Sequence, residues 1–435
     1  MFSTNTSRLD SLSRRQLMSD VARYALGVSL LPVGMESVLD AAEKSRSSST
    51  LRPGGKAKKV IYLYMSGAMS HLDTFDPKPK SDVQGQTGVI KTKIPGVQLS
   101  EHMKQLAQMS DKLAIVRSMT TSTGAHGPAK YLLRTSYRPL ATTKHPGIGS
   151  WMHKMLGRVH KELPASVQIG GGLGPGYLGA EFAPVPLGDP AKGLQNTKSP
   201  SYLTDASFDK RMKLSNVFDS DFRKKANASS QVTGYDDLYS EAIGLLRSED
   251  LKAFDLTKES QEAKETYGGT RFGNAALLAR RLVQSGVRFV EISFGSWDHH
   301  YQLFDNLPAK AQELDKVVGT LMKDLRSRGL LDETLVVIGT EFGRKPKPNK
   351  NSGRDHHPAA FSTMLAGGGI KAGFTYGETD DVGYNIAADG VHVHDFQATV
   401  MHLMGIDHER LTFKYQGRRF RLTDVHGKIV KPILA

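Results

Sequence analysis

The chain has 435 residues, 39% of them hydrophobic, enough to bury a large core in two or three domains or in one α/β domain with insertions. Its net charge of +14 is scattered, without the aromatic-interleaved basic stripe of a nucleic-acid module, so it implies a preference for anionic surroundings and no nucleic-acid partner. The absence of cysteine excludes disulfides, thiolate zinc sites and a cysteine nucleophile.

The first element is a leader over residues 1–45. "LSRRQLM" (12–18) carries Arg14 and Arg15, the apolar "ALGVSLLPVG" (25–34) follows, and a polar stretch comes after it. The order resembles a twin-arginine export signal, and it implies a periplasmic or cell-surface protein. An amphipathic helix packed on the domain is the alternative. No later apolar run approaches the roughly 20 residues needed to span a bilayer, so a soluble mature protein is expected.

Residues 46–57 read as a linker, and 58–435 as one domain. Nearly continuous apolar runs follow in order: "KVIYLYM" (59–65), "LAIVRSM" (113–119), "SVQIGG" (166–171), "VRFVEISF" (287–294), "TLVVIGTE" (334–341) and "STMLAGGG" (362–369). Such runs suit strands buried on both faces of a parallel sheet. Amphipathic stretches at 273–286, 309–329 and 394–405 have helical spacing between them. The polar segment from about 195 to 270 reads as a helical insertion. The alternation predicts a doubly wound α/β fold with a mostly parallel central sheet flanked by helices.

Ligands bind at the carboxyl edge of such sheets, so the polar residues just past each strand are the candidates. After the first strand come Ser70, His71, Asp73 and Asp76. The second leads to "GAHGPAK", which places His126 on a turn. "GSWDHHYQ" brings Asp298, His299 and His300. "TLVVIGTEFGR" ends in Glu341 and Arg344, and "NSGRDHHP" adds Arg354, Asp355, His356 and His357. Imidazoles and carboxylates gathered at one edge suit a borderline divalent cation, zinc first, with manganese or calcium as alternatives. Asp298, His300, Glu341 and His356 are the expected ligands, with Asp73 as a further carboxylate. A network of ion pairs that pins the loops together is the other reading of the same residues.

Six segments carry a family likeness: "SHLDTFDPKP", "SWDHH", "TLVVIGTEFGR", "GRDHHPAAF", "HDFQATVMHLMGIDHERL" and "GRRFRLTDVHG". From about residue 56 to the C-terminus the chain resembles a family of exported bacterial proteins often called sulfatase-like, domain of unknown function 1501. That family is similar to the alkaline phosphatase superfamily. The resemblance implies an α/β sheet and a one- or two-metal site that hydrolyses phosphate or sulfate esters. It also gives "HGPAKYLLRTS" the spacing of the sulfatase motif, with His126 at the nucleophile position, Pro128 keeping the turn and Lys130 in place of Arg. No formylglycine can form at a histidine. His126 is then a ligand, an imidazole nucleophile or a general base, with the ligand role preferred. Glu341 stands where the superfamily has a strand-end Asp and Phe342 where it has a His, which removes one expected ligand. Ser70 lies near the position of the superfamily's first metal-binding Asp.

The expected function is metal-dependent hydrolysis of an anionic ester, of a small molecule or an acidic polysaccharide. Lys130, Arg344 and Arg354 would hold the anion, with His357 and Ser70 as further substrate contacts. The alternative is a non-catalytic exported protein of the same fold that binds anionic glycan or a partner surface.

Overall fold

In a computed structural model of the chain, residues 55–195, 197, 204–226 and 240–435 are described. The leader and most of the linker lie outside them. A nine-stranded sheet forms the centre. Its strands are β1 (Lys59–Met65), β2 (Leu113–Thr120), β3 (Ser166–Ile169), β4 (Val185–Leu187), β5 (Phe289–Phe294), β6 (Thr334–Gly339), β7 (Phe361–Ala366), β8 (Phe374–Tyr376) and β9 (Val391–His392). They lie in the order β8-β2-β7-β6-β1-β5-β3-β4, with β9 parallel to the end of β2.

The runs expected as strands are the long strands observed. β1, β6 and β7 are buried at every position, which is why their sequences show no polar alternation. Short β4, β8 and β9, two or three residues each, carry no such run and escape a reading based on pattern. β1 is parallel to both neighbours, with Ile61 beside Val290 on one side and Val336 on the other. Alternate β1 side chains feed opposite cores: Ile61, Leu63 and Met65 enter one apolar cluster, Val60, Tyr62 and Tyr64 the other. Helices cover both faces. On the first pack α4 (Arg271–Gln284) and α5 (Leu303–Ser327); on the second, α1 (His126–Thr135), α2 (Ile148–Leu156) and α6 (Val393–Leu403). The fold is α/β, doubly wound and mostly parallel. Of the segment expected as a helical insertion, part lies outside the described residues; the rest contains α3 (Asp205–Ala226), two 3-10 turns and the short helix Gln261–Thr266.

Three local differences bear on the site. α5 begins at Leu303, six residues before the expected start at 309, because Pro308 falls inside the helix near its N-terminus. Pro308 is the sixth helical residue, so it forgoes the bond to the Phe304 carbonyl just past the first turn. His126 is the first residue of α1 and not part of a turn; Ala125 is its extended N-cap. β7 runs antiparallel to β6 and β2. No helix intervenes between β6 and β7, so the chain folds back as antiparallel partners can. The return carries a small ladder in which Arg344 faces His356 and Gly343 faces His357. That ladder brings the "DHH" segment back to the carboxyl edge beside β1.

Among the described residues no helix is long and apolar enough to cross a membrane.

Candidate metal centre

The chain leaves β1 for β2 on one side and later builds β3, β4 and β5 on the other, so the carboxyl end of β1 is the switch point of the sheet. Four segments meet there: Gly67 and Ala68 after β1, His126 at the start of α1, Asp298 and His300 after β5, and residues 341–356 after β6. Nucleation of the site is thus a consequence of strand order.

Asp298 is at the middle. Its Oδ1 lies 3.1 Å from His300 Nε2 and 3.3 Å from His356 Nε2, and its Oδ2 lies 3.1 Å from His126 Nε2. His300 and His356 approach each other at 2.9 Å between Nε2 atoms. The far side of each ring is turned to an acceptor. His356 Nδ1 donates to Gly124 O at 2.7 Å, and His300 Nδ1 lies 3.5 Å from Asp355 Oδ1. His126 Nδ1 lies 2.8 Å from Glu341 Oε1. A neutral imidazole that donates through Nδ1 presents a lone pair at Nε2. With each ring donating through Nδ1, three lone pairs would face one carboxylate.

Lone pairs so arranged repel unless a proton or a cation lies between them. Burial, then the charge of Arg344, push the pKa of His356 down, which favours its neutral form. His126 Nε2 is buried without a hydrogen bond, since its approach to Asp298 Oδ2 is close enough for an ion pair but off the hydrogen-bond axis. His126, Asp298 and His356 offer one ligand atom each within 4.8 Å of one another. Nitrogen and carboxylate donors with their outer atoms tied down fit a divalent cation.

Glu341 is fully buried and stands behind His126. Its Oε1 takes the Gly67 amide at 2.9 Å as well as His126, and its Oε2 takes the Tyr64 hydroxyl at 2.8 Å. Burial opposes ionisation, but the bonds from His126, Tyr64 and Gly67 outweigh it and the pKa is lowered. With its oxygens occupied, Glu341 orients an imidazole where the sequence reading expected a ligand. Gly67 has a φ of +115°, and a Cβ there would come within 2.7 Å of the Asp298 amide, so this position requires glycine.

Arg344, expected to hold substrate, is buried and fully engaged. Nε donates to Ala68 O at 2.7 Å, and one terminal nitrogen donates to Arg354 O at 3.0 Å and lies 3.4 Å from His300 Nε2. The other donates to Gly67 O and Asp298 Oδ1. It fixes the Asp298 carboxylate and has no donor to spare for an ester. Asp73, Arg354 and Ser70 form a separate buried group. Arg354 Nε donates to Asp73 Oδ2 at 2.7 Å, and Ser70 donates to the same carboxylate. Asp73 is not among the side chains that meet Asp298, and Arg354 and Ser70 do not reach solvent. A short-range carboxylate–guanidinium pair wins over both assigned roles. His357 is buried, and its Nε2 donates to Tyr384 O at 2.6 Å, away from the cluster. Lys130 lies one turn along α1 from His126, on the same side of the helix, and has no bonding partner among the described residues.

Sequence reasoning missed Tyr64 and Gly67 as supports, and it named Asp355 as a candidate without giving it that role. Tyr64 is indistinguishable in sequence from any aromatic in an apolar strand. Asp355 adjoins a candidate pair but its contact depends on the fold-back after β6.

Asp298 has a pKa of about 2: burial raises it, but Arg344, then His126 and His300, lower it further. A depressed carboxylate stabilises the fold at pH values above its ordinary pKa and loses that contribution as pH falls toward its folded value. Urea midpoints of the cation-free wild-type protein should therefore decline between about pH 4 and pH 2 more steeply than those of Asp298→Asn. Parallel curves in that window would show that the carboxylate is not held as the contacts require.

The fold and site define an α/β protein with a histidine–carboxylate cluster at the switch point of a doubly wound sheet. The chain belongs to the family described as "Protein of unknown function (DUF1501)", which matches residues 57–434. No curated protein matches it. Solved structures similar to it include Ps i-CgsB in complex with k-i-k-neocarrahexaose, 12% identical over 80% of this chain and 72% of that one, with a TM-score of 0.41. The PsFucS1 sulfatase from Pseudoalteromonas sp. is 14% identical over 87% and 73%, with a TM-score of 0.36. A protein in the alkaline phosphatase superfamily from Vibrio parahaemolyticus is 11% identical over 86% and 76%, with a TM-score of 0.38.

Proposed function

We propose that the protein is an exported, metal-dependent hydrolase of phosphate or sulfate esters that works without a formylglycine nucleophile. The observation that carries this reading is the convergence of His126, His300 and His356 on Asp298, each imidazole with its outer nitrogen turned to an acceptor. His126, Asp298 and His356 would hold the cation, with His300 beside them. When bound, the cation would polarise the ester and offset the charge that develops on its oxygens. Arg344 keeps Asp298 ionised and aimed, and Glu341 keeps the Nε2 atom of His126 turned inward. Lys130, one turn from His126, attracts the anionic group. Asp298 is 44% exposed, so the centre opens to solvent and to a substrate as large as an acidic polysaccharide. The +14 charge favours such a substrate. Export rests on Arg14 and Arg15 of the leader and on the apolar stretch behind them.

A second reading is a non-catalytic binder of anionic glycan on the same scaffold. It is favoured by Phe342, a fully buried ring 4.9 Å from His126 and 4.8 Å from His356, in a place where a polar side chain would otherwise complete the donor set.

Elemental analysis of purified protein, paired with turnover of 4-nitrophenyl phosphate and 4-nitrophenyl sulfate, separates the two. The hydrolase reading expects stoichiometric zinc, manganese or calcium and turnover that a chelator removes and the metal restores. Metal-free, stable protein without turnover on either ester would replace it with the binder.

A further inference from the structure

Helix α1 joins two polar sites. His126 at its first position faces Asp298, whereas Ser136 at its C-cap is on the wall of a cavity of about 920 Å³. Ser122 and Leu132 also line it, but none of His126, Asp298, His300, Glu341 or His356 does, so its wall is distinct from the metal centre. "GRRFRLTDVHG" and the residues that open α6 supply much of its wall, and the proposed hydrolase site uses neither.

We propose that this cavity is a second ligand site, which takes an anionic saccharide, a sugar unit bearing a sulfate, phosphate or carboxylate group. Four cations line it: Arg138, Arg418, Arg421 and Lys428. The side chains of Arg138 and Lys428 are exposed and have no partner among the described residues. Arg421 spends one terminal nitrogen on His426 O at 3.2 Å, and Arg418 pairs with Asp424 at 3.2 Å. The carboxylates of the wall are mostly committed as well. Asp395 accepts the amides of His392 at 3.0 Å and Lys428 at 2.7 Å, and Asp424 holds Arg418, which leaves Glu409. The unspent charge is positive.

Two neutral polar atoms and an aromatic backing distinguish this wall from a site for a bare anion. The Tyr131 hydroxyl accepts from the His145 amide at 2.6 Å and lies 3.0 Å from His145 Nδ1. His145 Nε2 and Ser136 Oγ are buried atoms without a partner. Buried polar atoms left unpaired are costly, and a hydroxylated ligand is what would satisfy them. Tyr137 stacks on His145 at 3.8 Å with Phe420 close by at 5.7 Å; all three are buried and form an apolar backing to the cavity wall. The volume falls in the roughly 300–1,000 Å³ range of small-molecule sites.

Calorimetric titration of the full-length protein with a trisulfated heparin disaccharide tests the assignment, in the wild type and in Asp298→Asn. Sodium sulfate and uncharged maltose serve as the comparison probes. The disaccharide should bind Asp298→Asn at one site, and binding to that site should weaken about tenfold or more when Arg138→Glu and Lys428→Glu are added. Both replaced side chains are exposed and unpartnered, so thermal unfolding should not change. Failure of the disaccharide to bind Asp298→Asn, or affinity indifferent to the two charge reversals, would overturn the proposal. So would sulfate binding as tightly as the disaccharide, which would make this an anion site, or maltose doing so, which would make the charge irrelevant. Because the titration is read in Asp298→Asn, the outcome does not depend on whether the metal centre turns over an ester.

Discussion

Asp73→Ala should destabilise the protein by about 3–5 kcal/mol, the cost of breaking a buried ion pair by removing one partner. Asp73 and Arg354 are both fully buried, and the guanidinium donates to Asp73 at 2.7 and 3.2 Å. Arg354 also donates to Val83 O and Gln84 O, each at 3.0 Å, and Thr87 donates to Asp73 at 2.7 Å. Alanine would leave a charged guanidinium in the interior with its strongest acceptor gone. By contrast Arg418→Ala, which breaks the pair with Asp424 at a side chain 60% exposed, should cost no more than about 1 kcal/mol. Urea unfolding of both variants gives the comparison. The double variant Asp73→Leu with Arg354→Met should recover part of the loss, since no unpaired charge remains. If Asp73→Ala cost as little as the surface variant, the 70–87 loop would not depend on this pair. The pair joins that loop to the segment just before His356, so its role is to hold the floor under the candidate metal centre.

Much of the fold was legible because the chain writes burial plainly. β1, β6 and β7 are apolar at nearly every position, and the helices between them carry one apolar face. The carboxyl-edge rule then selected loops that meet: His126, Asp298, His300, Glu341 and His356 all come together at the end of β1. What the pattern could not give was the second partner of each charged group. Arg344 and Arg354 look alike as cations beside histidines, yet one is spent on Asp298 and three backbone carbonyls and the other on Asp73 and two. Both partnerships span dozens to hundreds of residues, and nothing local in the sequence specifies them. The direction of β7 was hidden for a related reason. Its apolar run reads the same either way, and its orientation follows from the fold-back of residues 340–360, which contains no helix. Glu341 shows the limit most clearly: a carboxylate at a strand end is equally suited to binding a cation or to holding a histidine, and the presence of Tyr64 and Gly67 around it selects the second.

His126→Ala should abolish stoichiometric metal binding, a larger loss than the roughly 10–100-fold in affinity that removal of a supporting residue costs. The imidazole is a bridge between Glu341 and Asp298, with 2.8 Å on one side and 3.1 Å on the other. Because Glu341 holds Nδ1, Nε2 is the atom turned to the centre, and it is buried without any other hydrogen bond. Glu341→Gln tests the support separately. An amide oxygen can still accept from His126 and Gly67, so the ring should stay in place while the loss of charge weakens binding within that 10–100-fold range. Glu341→Ala differs again, because it leaves the Tyr64 hydroxyl and the Gly67 amide buried and unpaired, at about 1–3 kcal/mol each in stability. Metal content by mass spectrometry, read beside urea midpoints, distinguishes the three. Retention of the metal by His126→Ala with turnover gone would move the imidazole from the cation to the substrate. Retention of both would reduce it to the first residue of a helix.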